Sequence, residues 1–468
     1  MSQRDYLLKG TFFLTGAGFL TRIAGFFYKI FLSRTIGAKE IGIFQLTSPV
    51  YAFCIAVCIG GIQTAVSRFT AESYAKGDRS AARQTLFCSL VLSVFLAVLC
   101  TAALVSFAPW IASRFLLEPA CAPLLKIIAF SLPFCAVHAC ISGYFIGCKN
   151  VSVSALSQML EQFVRISTVL LIFVLLQKEG RPISSSAMAV GQIAGEISSA
   201  LYCTCILVSG RNSVQKKAPA AIRPFPTQSQ YKKLLSVSTP LALNRMLLCI
   251  LQGMEAALLP QQLEQSGLTS HNALAVYGTL TGMTLPLIFF PTAVTGAVST
   301  LLLPAVSEAR ALRQKKQITD TVNAGFLASV LLGSFFMISF LLFGKNAGSW
   351  LFHNELSGIL LKKLAVICPF LYLNTTLNSI LHGLGKTTAV FLYSAAGFAV
   401  RLASVIVLVP RLGIEGYLYG MILSQVLISA CSLFLLRRGN YLTASIPDIL
   451  FLLVSKETRT AFKEKGRH

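Results

Sequence analysis

Acidic side chains are scarce in this chain. Asp and Glu number 17 in 468 residues against 40 Lys and Arg, and charged residues of both signs make up only 12%. A water-soluble domain carries about 25% charge, so most of the length cannot be solvent-facing globular surface. Catalytic signatures are also missing: there is no Gly-rich phosphate loop, no HExxH and no nucleophile elbow. ATP hydrolysis is excluded as far as motifs exclude it, and the chain is expected to be no enzyme and to need no cofactor. The 13 cysteines form no framework. Cys54, Cys58, Cys88, Cys100, Cys135, Cys140, Cys249 and Cys431 fall in apolar stretches, where Cys acts as a small hydrophobe. Cys54-x3-Cys58 and Cys203-x-Cys205 lack zinc spacing and His partners, so no metal site is expected.

What is present is apolar. Hydrophobic residues reach 55% and mean hydropathy is +0.71. Stretches of about 20 apolar residues match a hydrocarbon core of about 30 Å. They fall near 10–32, 41–66, 85–107, 123–147, 153–176, 187–208, 234–258, 274–303, 321–343, 364–382, 388–409 and 413–436. The reading is all-α, with about twelve transmembrane helices and no cleavable signal, since 1–9 is short and polar and the first span is long enough to remain a helix. Lys and Arg concentrate after spans 2 and 8, between spans 6 and 7 and in the tail, which places both termini in the cytoplasm. The net charge of +23 reflects that bias and attraction to anionic lipid headgroups, not nucleic-acid binding.

The chain repeats itself at half its length. Ala65-Val66-Ser67 closes span 2 and Ala305-Val306-Ser307 closes span 8, each followed by a basic loop. Gly147 precedes Arg165 as Gly383 precedes Arg401. Six spans per half is an even number, so the repeat is parallel, with a pseudo-two-fold along the membrane normal. The expected organisation is an N-terminal lobe over 1–210, a basic linker over 211–233, a C-terminal lobe over 234–437 and a basic tail over 438–468. The apolar run at 446–454 is too short to span, and reads either as an interfacial helix or as part of a disordered tail.

Cations sit inside the spans. Arg22, Arg165, Arg245 and Arg401 each lie in an apolar stretch, where a charge costs about 2.5–3.5 kcal/mol and therefore faces a polar interior. Gly18, Arg22, Gly25 and Lys29 share one face of span 1, and no acid stands three or four positions from Arg22. Its counter-ion then comes from another helix, water or a ligand; the alternative is an arginine bracing helix-end carbonyls. Span 7 carries Asn244, Arg245, Gln252 and Glu255. Arg245 and Gln252 lie about 20° apart around the helix, and Glu255 lies within about 80° of Arg245.

Glu161 and Arg165, at i and i+4, are expected to form a structural ion pair. Arg401, its counterpart, has no such acid and is the better ligand candidate; Glu196 stays unassigned. Counting Arg22, Lys29, Arg165, Arg245 and Arg401 against Glu161, Glu196 and Glu255 leaves an excess of positive charge suited to a diphosphate. Pro286 and Pro291 predict a break in span 8, while Asn374, Thr375, Thr376 and Asn378 make span 10 polar at its middle. The expected substrate-binding set is Arg22, Lys29, Arg245, Arg401, Gln252, Glu255 and Asn374.

The order of these features resembles the stage V sporulation protein B branch of the oligosaccharide flippases, within the multidrug/oligosaccharidyl-lipid/polysaccharide exporter superfamily. The resemblance rests on 18–26, GFLTRIAGF, on 37–42, GAKEIG, and on the stretches PLALNR at 240–245 and LLLPAVSEA at 301–309. It implies two six-helix lobes around a cavity open to alternate faces of the bacterial cytoplasmic membrane. The implied cargo is an undecaprenyl-diphosphate-linked saccharide, such as lipid II for spore cortex or cell-wall peptidoglycan. The implied partners are that lipid-linked substrate and the bilayer, with a coupling ion left open. Relatives gather cavity arginines against the diphosphate; Arg22 matches the first, and Tyr28-Lys29 stands where a second would follow. The rival reading is a multidrug/cation antiporter of the same fold, with Glu255 or Glu161 dominant.

Overall fold

A computed structural model describes residues 3–214 and 228–441, and no strand occurs among them. The helices are α1 (Gln3–Thr35), α2 (Ala38–Cys58), α3 (Ile62–Ala75), α4 (Arg79–Trp110), α5 (Cys121–Ala129), α6 (Leu132–Gly147), α7 (Val151–Lys178), α8 (Ser185–Val214) and α9 (Gln228–Gln265). They continue with α10 (Ser270–Gly278), α11 (Leu285–Phe289), α12 (Thr292–Ala311), α13 (Lys315–Phe352), α14 (Glu355–Leu364), α15 (Cys368–Gly383), α16 (Thr387–Val407), α17 (Val409–Leu412) and α18 (Ile414–Arg438). Among the described residues ten helices are long and apolar enough to cross a membrane, and the pair α5–α6, bent by 44°, makes an eleventh. With the 33-residue α1, every one of the twelve sequence spans has a helical counterpart. The chain is a multi-pass membrane protein. Most of the 211–233 linker and the tail run at 446–454 lie outside the described residues.

The prolines of span 8 act as their chemistry predicts. Pro has no N–H and its ring clashes with the preceding turn. Thr279–Thr284 is a π-helical turn just before Pro286, α11 lasts five residues, and Phe290 and Pro291 form a turn before α12 starts. The apolar stretch thus becomes a 20-residue helix, Ser270–Phe289, with a π-helical turn inside it, and a separate α12 of 20 residues.

The contacts divide the chain into two compact units. One comprises 1–290 with 345–360 and 402–417; the other comprises 291–344, 361–401 and 418–468. The core of the first gathers Ile62, Ala65, Val66, Leu86, Cys140 and Tyr144. That of the second gathers Val306, Ile318, Leu373, Leu377, Ile380 and Leu436. Each contains one copy of the repeated Ala-Val-Ser motif in the same local setting. In the first unit Gly147 of α6 lies so close to α3 that a Cβ there would sit 2.6 Å from the Ser67 carbonyl oxygen. In the second, Gly383 of α15 lies so close to α12 that a Cβ would sit 2.9 Å from the Leu303 carbonyl oxygen.

The 37–42 motif is a packing device. Gly37 takes φ 89° between α1 and α2, a conformation that side chains disfavour. The Glu40 carboxylate accepts from the Ser185 backbone N–H at 3.0 Å and its hydroxyl at 2.7 Å, capping α8. Gly42 abuts α10, where a Cβ would overlap the Leu274 carbonyl oxygen. At the end of α1, Arg34 forks onto the Leu351 and Trp350 carbonyls in the last turn of α13, at 2.9 and 2.7 Å.

Candidate functional site

Three of the sequence-selected cations lie in the first unit without a counter-charge among the described residues. Arg22 and Arg245 are exposed and Lys29 is half-buried. None of the three makes a hydrogen bond or ion pair with a described residue. On α1 the small Gly25 packs against α7, where a Cβ would sit 3.4 Å from Gln162 Nε2. Asn244 and Gln252 on α9 are exposed like Arg245, whereas Glu255 is buried at 6% exposure. Glu255 accepts a 2.6 Å hydrogen bond from the Tyr417 hydroxyl. The stripe on α9 is therefore split: its cation and amides look out, and its acid is engaged within the protein.

Arg401 lies in the second unit, half-buried, with its guanidinium 4.3 Å from the centroid of the Phe398 ring one turn away. Asn374 of α15 is buried at 5% exposure and fully engaged. Its amide donates to Gln425 Oε1 at 2.7 Å and to the Gln425 carbonyl at 3.1 Å, and its oxygen accepts from Ser429 at 2.9 Å. Around it, Thr375 donates to Thr295 at 3.0 Å, Ser379 donates to the Ser299 carbonyl at 2.6 Å, and Ser329 pairs with Thr376 at 2.6 Å. This is an uncharged network of the kind that ties membrane helices together.

A second constellation in the first unit joins α6, α7 and α8. Glu161 and Arg165 form the i, i+4 pair, and Arg165 also reaches Gln162 Oε1 at 3.4 Å. The other Glu161 oxygen lies 4.0 Å from His138 Nδ1, and Glu196 Oε2 lies 3.8 Å from that same nitrogen. The three donor atoms fall within 4.8 Å of one another, close enough to share a proton or a small cation. Glu196 is 5% exposed; its Oε1 accepts from Gln192 at 3.4 Å, and its Oε2 has no hydrogen-bond partner. The close approach of α7 and α8 that assembles this cluster depends on Gly191 and Gly195. A Cβ at Gly195 would sit 2.8 Å from the Glu161 carbonyl oxygen, and one at Gly191 would sit 3.0 Å from that of Arg165.

Sequence reasoning left Glu196 unassigned and passed over His138. Two signals were available. Gly191-x3-Gly195 is a close-packing motif for membrane helices. His138 and Asn374 are also separated by the same interval as Arg165 and Arg401.

Residues 7–310 match a protein family described as Polysaccharide biosynthesis protein. Stage V sporulation protein B of Bacillus subtilis (strain 168) is 26% identical over 429 residues, covering 91% of this chain and 82% of that protein. Lipid II flippase MurJ of the same organism is 27% identical over 168 residues, covering 34% of this chain and 31% of that protein. Among solved structures, an inward-facing multidrug resistance MATE family transporter of the MOP superfamily aligns with a TM-score of 0.74 at 15% identity, over 90% of this chain and 94% of that one. Lipid II flippase MurJ in an inward closed conformation aligns with a TM-score of 0.69 at 14% identity, over 93% and 89%. The fold is therefore that of these transporters.

Proposed function

The chain belongs to the polysaccharide biosynthesis protein family, and from that premise we propose that it is a flippase for an undecaprenyl-diphosphate-linked saccharide. The cargo is lipid II or a close relative, for spore cortex or cell-wall peptidoglycan, carried across the bacterial cytoplasmic membrane with both chain termini inside. The carrying observation is the set Arg22, Lys29 and Arg245: cations in apolar spans with no acid to neutralise them among the described residues. Each would cost about 2.5–3.5 kcal/mol at bilayer depth, a cost that a diphosphate offsets by charge-assisted hydrogen bonds. Stage V sporulation protein B and lipid II flippase MurJ among the relatives favour the same cargo class. The cations hold the headgroup, Gln252 and Asn244 offer amides to sugar hydroxyls, and rocking of two six-helix lobes exposes the site to alternate faces.

The test is reconstitution with labelled lipid II and a headgroup-accessibility assay. Arg22→Ala is expected to reduce flipping more than tenfold at near-normal protein abundance. Arg22→Lys keeps part of the rate, because ammonium binds phosphate as a point charge without the guanidinium fork. Normal flipping by Arg22→Ala, or loss only through failure to accumulate, refutes the ligand role. A multidrug antiporter would instead depend on Glu255 or Glu161 and ignore Arg22.

A further inference from the structure

We propose that His138, held between Glu161 and Glu196, is a proton-binding site that couples this protein to the transmembrane proton gradient. The coupling half of the statement rests on the transport function proposed above; the proton site itself does not.

One tautomer fits the hydrogen bonds. Ser157 reaches the Ser154 carbonyl at 2.9 Å, and with its hydroxyl proton placed there its oxygen accepts from His138 Nε2, 3.0 Å away. In that arrangement Nε2 carries the proton. In neutral His138 the nitrogen turned toward Glu161 Oε2 and Glu196 Oε2 is then a bare lone pair facing two carboxylate oxygens, at 4.0 and 3.8 Å. Three acceptor atoms converge there, too far apart for hydrogen bonds, and the Cys135 thiol lies beside Glu196. One proton on Nδ1 turns the contact into an ion pair with both carboxylates, next to the Glu196 Oε2 that lacks a hydrogen bond.

Charge points the same way. Arg165 balances Glu161, which leaves the Glu196 carboxylate as one net negative charge in a helix interior where its side chain is 7% exposed. An imidazolium at His138 brings the cluster to neutrality. The other groups facing it add no second positive charge: Tyr51 on α2 and Cys135 on α6 lie beside Glu196, Gln192 is on α8, and Tyr28 on α1 lies near Arg165. In the second unit Asn374 stands at the interval of His138 and joins the uncharged Gln425 and Ser429, and Arg401 has glycine rather than an acid at i−4. Uptake forms one N–H bond with a proton from water on one side of the membrane, and release returns that proton to water on the other. Nothing is oxidised or reduced.

The first experiment follows the full-length protein, labelled with 15N-histidine, through a pH titration. The chain has five histidines, and His138→Gln identifies the resonance. That resonance is expected to show protonated Nε2 throughout and to gain a proton on Nδ1 on acidification. In Glu196→Gln, which keeps the shape but removes the charge, proton affinity at His138 falls at least about tenfold. An Nδ1–H neutral tautomer, or unchanged affinity in Glu196→Gln, overturns the site. The second experiment compares lipid II flipping with and without an imposed pH gradient in phosphatidylethanolamine/phosphatidylglycerol vesicles. The wild-type ratio of the two rates departs from unity, and in Glu196→Gln and His138→Gln it returns to about 1. A ratio unchanged in both variants, or stimulation by a sodium gradient in place of the pH gradient, overturns the coupling. Failure of the wild type to move lipid II overturns the flippase reading alone, because the resonance titration decides the proton site without transport.

Discussion

In the first unit His138 on α6 faces Glu196 on α8, with the Glu161–Arg165 pair beside them on α7. In the second, Asn374 on α15 faces Gln425 on α18, while Arg401 on α16 stacks on its own helix over Phe398. The interval that carries His138 to Asn374 also carries Arg165 to Arg401 and Glu161 to Gly397. At this interval His138 and Glu161 give way to Asn374 and Gly397, while the arginine is kept. The amide network satisfies its own hydrogen bonds and has no reason to take up or lose an ion. The charged cluster leaves one carboxylate oxygen without a partner and so responds to a proton. Two polar clusters thus differ in kind: one joins carboxylates, an imidazole and a guanidinium across three helices, and the other joins amides and hydroxyls.

The sharpest way to break this contrast is to remove a charge from the charged pocket. Arg165→Ala leaves the half-buried Glu161 and the buried Glu196 without their cation and is expected to cost about 3–5 kcal/mol, seen as a large fall in thermal stability in detergent. Arg401→Ala, at the matching position, leaves no buried acid at i−4 and is expected to be milder; equal losses would erase the distinction. Next in size is the glycine contact. Gly195→Ala meets the Glu161 backbone oxygen, which cannot move alone, and is expected to cost about 1–3 kcal/mol. Gly397→Ala meets the tip of Ile428, which can rotate aside, and costs less in the same melting assay. Asn374→Ala should remove about 1 kcal/mol, because membrane hydrogen bonds are individually modest, and should not alter any response to pH. Smallest is Arg401→Lys, which keeps the charge and forfeits part of the stacking on Phe398. About 0.5–1 kcal/mol is expected, within reach of matched thermal melts.

Much of the fold was legible because the signals are local. Twelve apolar spans, the break at Pro286 and Pro291 and the Glu161–Arg165 pair all depend on residues within a few turns of each other. The cations of the proposed diphosphate site were legible for the same reason: a missing acid within four positions of Arg22 is a property of one helix. Glu255 was less readable. Its place on α9 put it beside Arg245 and Gln252, yet burial against Tyr417, far along the chain, engages it elsewhere. The His138 cluster was only partly readable: Gly191-x3-Gly195 marks a close helix contact, but the members of the cluster come from three helices.

By itself, then, the sequence determined the membrane-spanning all-α class, the cationic spans and the repeated motifs, because burial in lipid and helical periodicity act along the chain. Only the tertiary structure decided which charges meet. That depended on how closely α7 and α8 approach across Gly191 and Gly195, and on which nitrogen of His138 Ser157 engages. Such contacts are made between helices, where no local spacing rule reaches, and a displacement of an ångström or two separates a satisfied network from an open proton site.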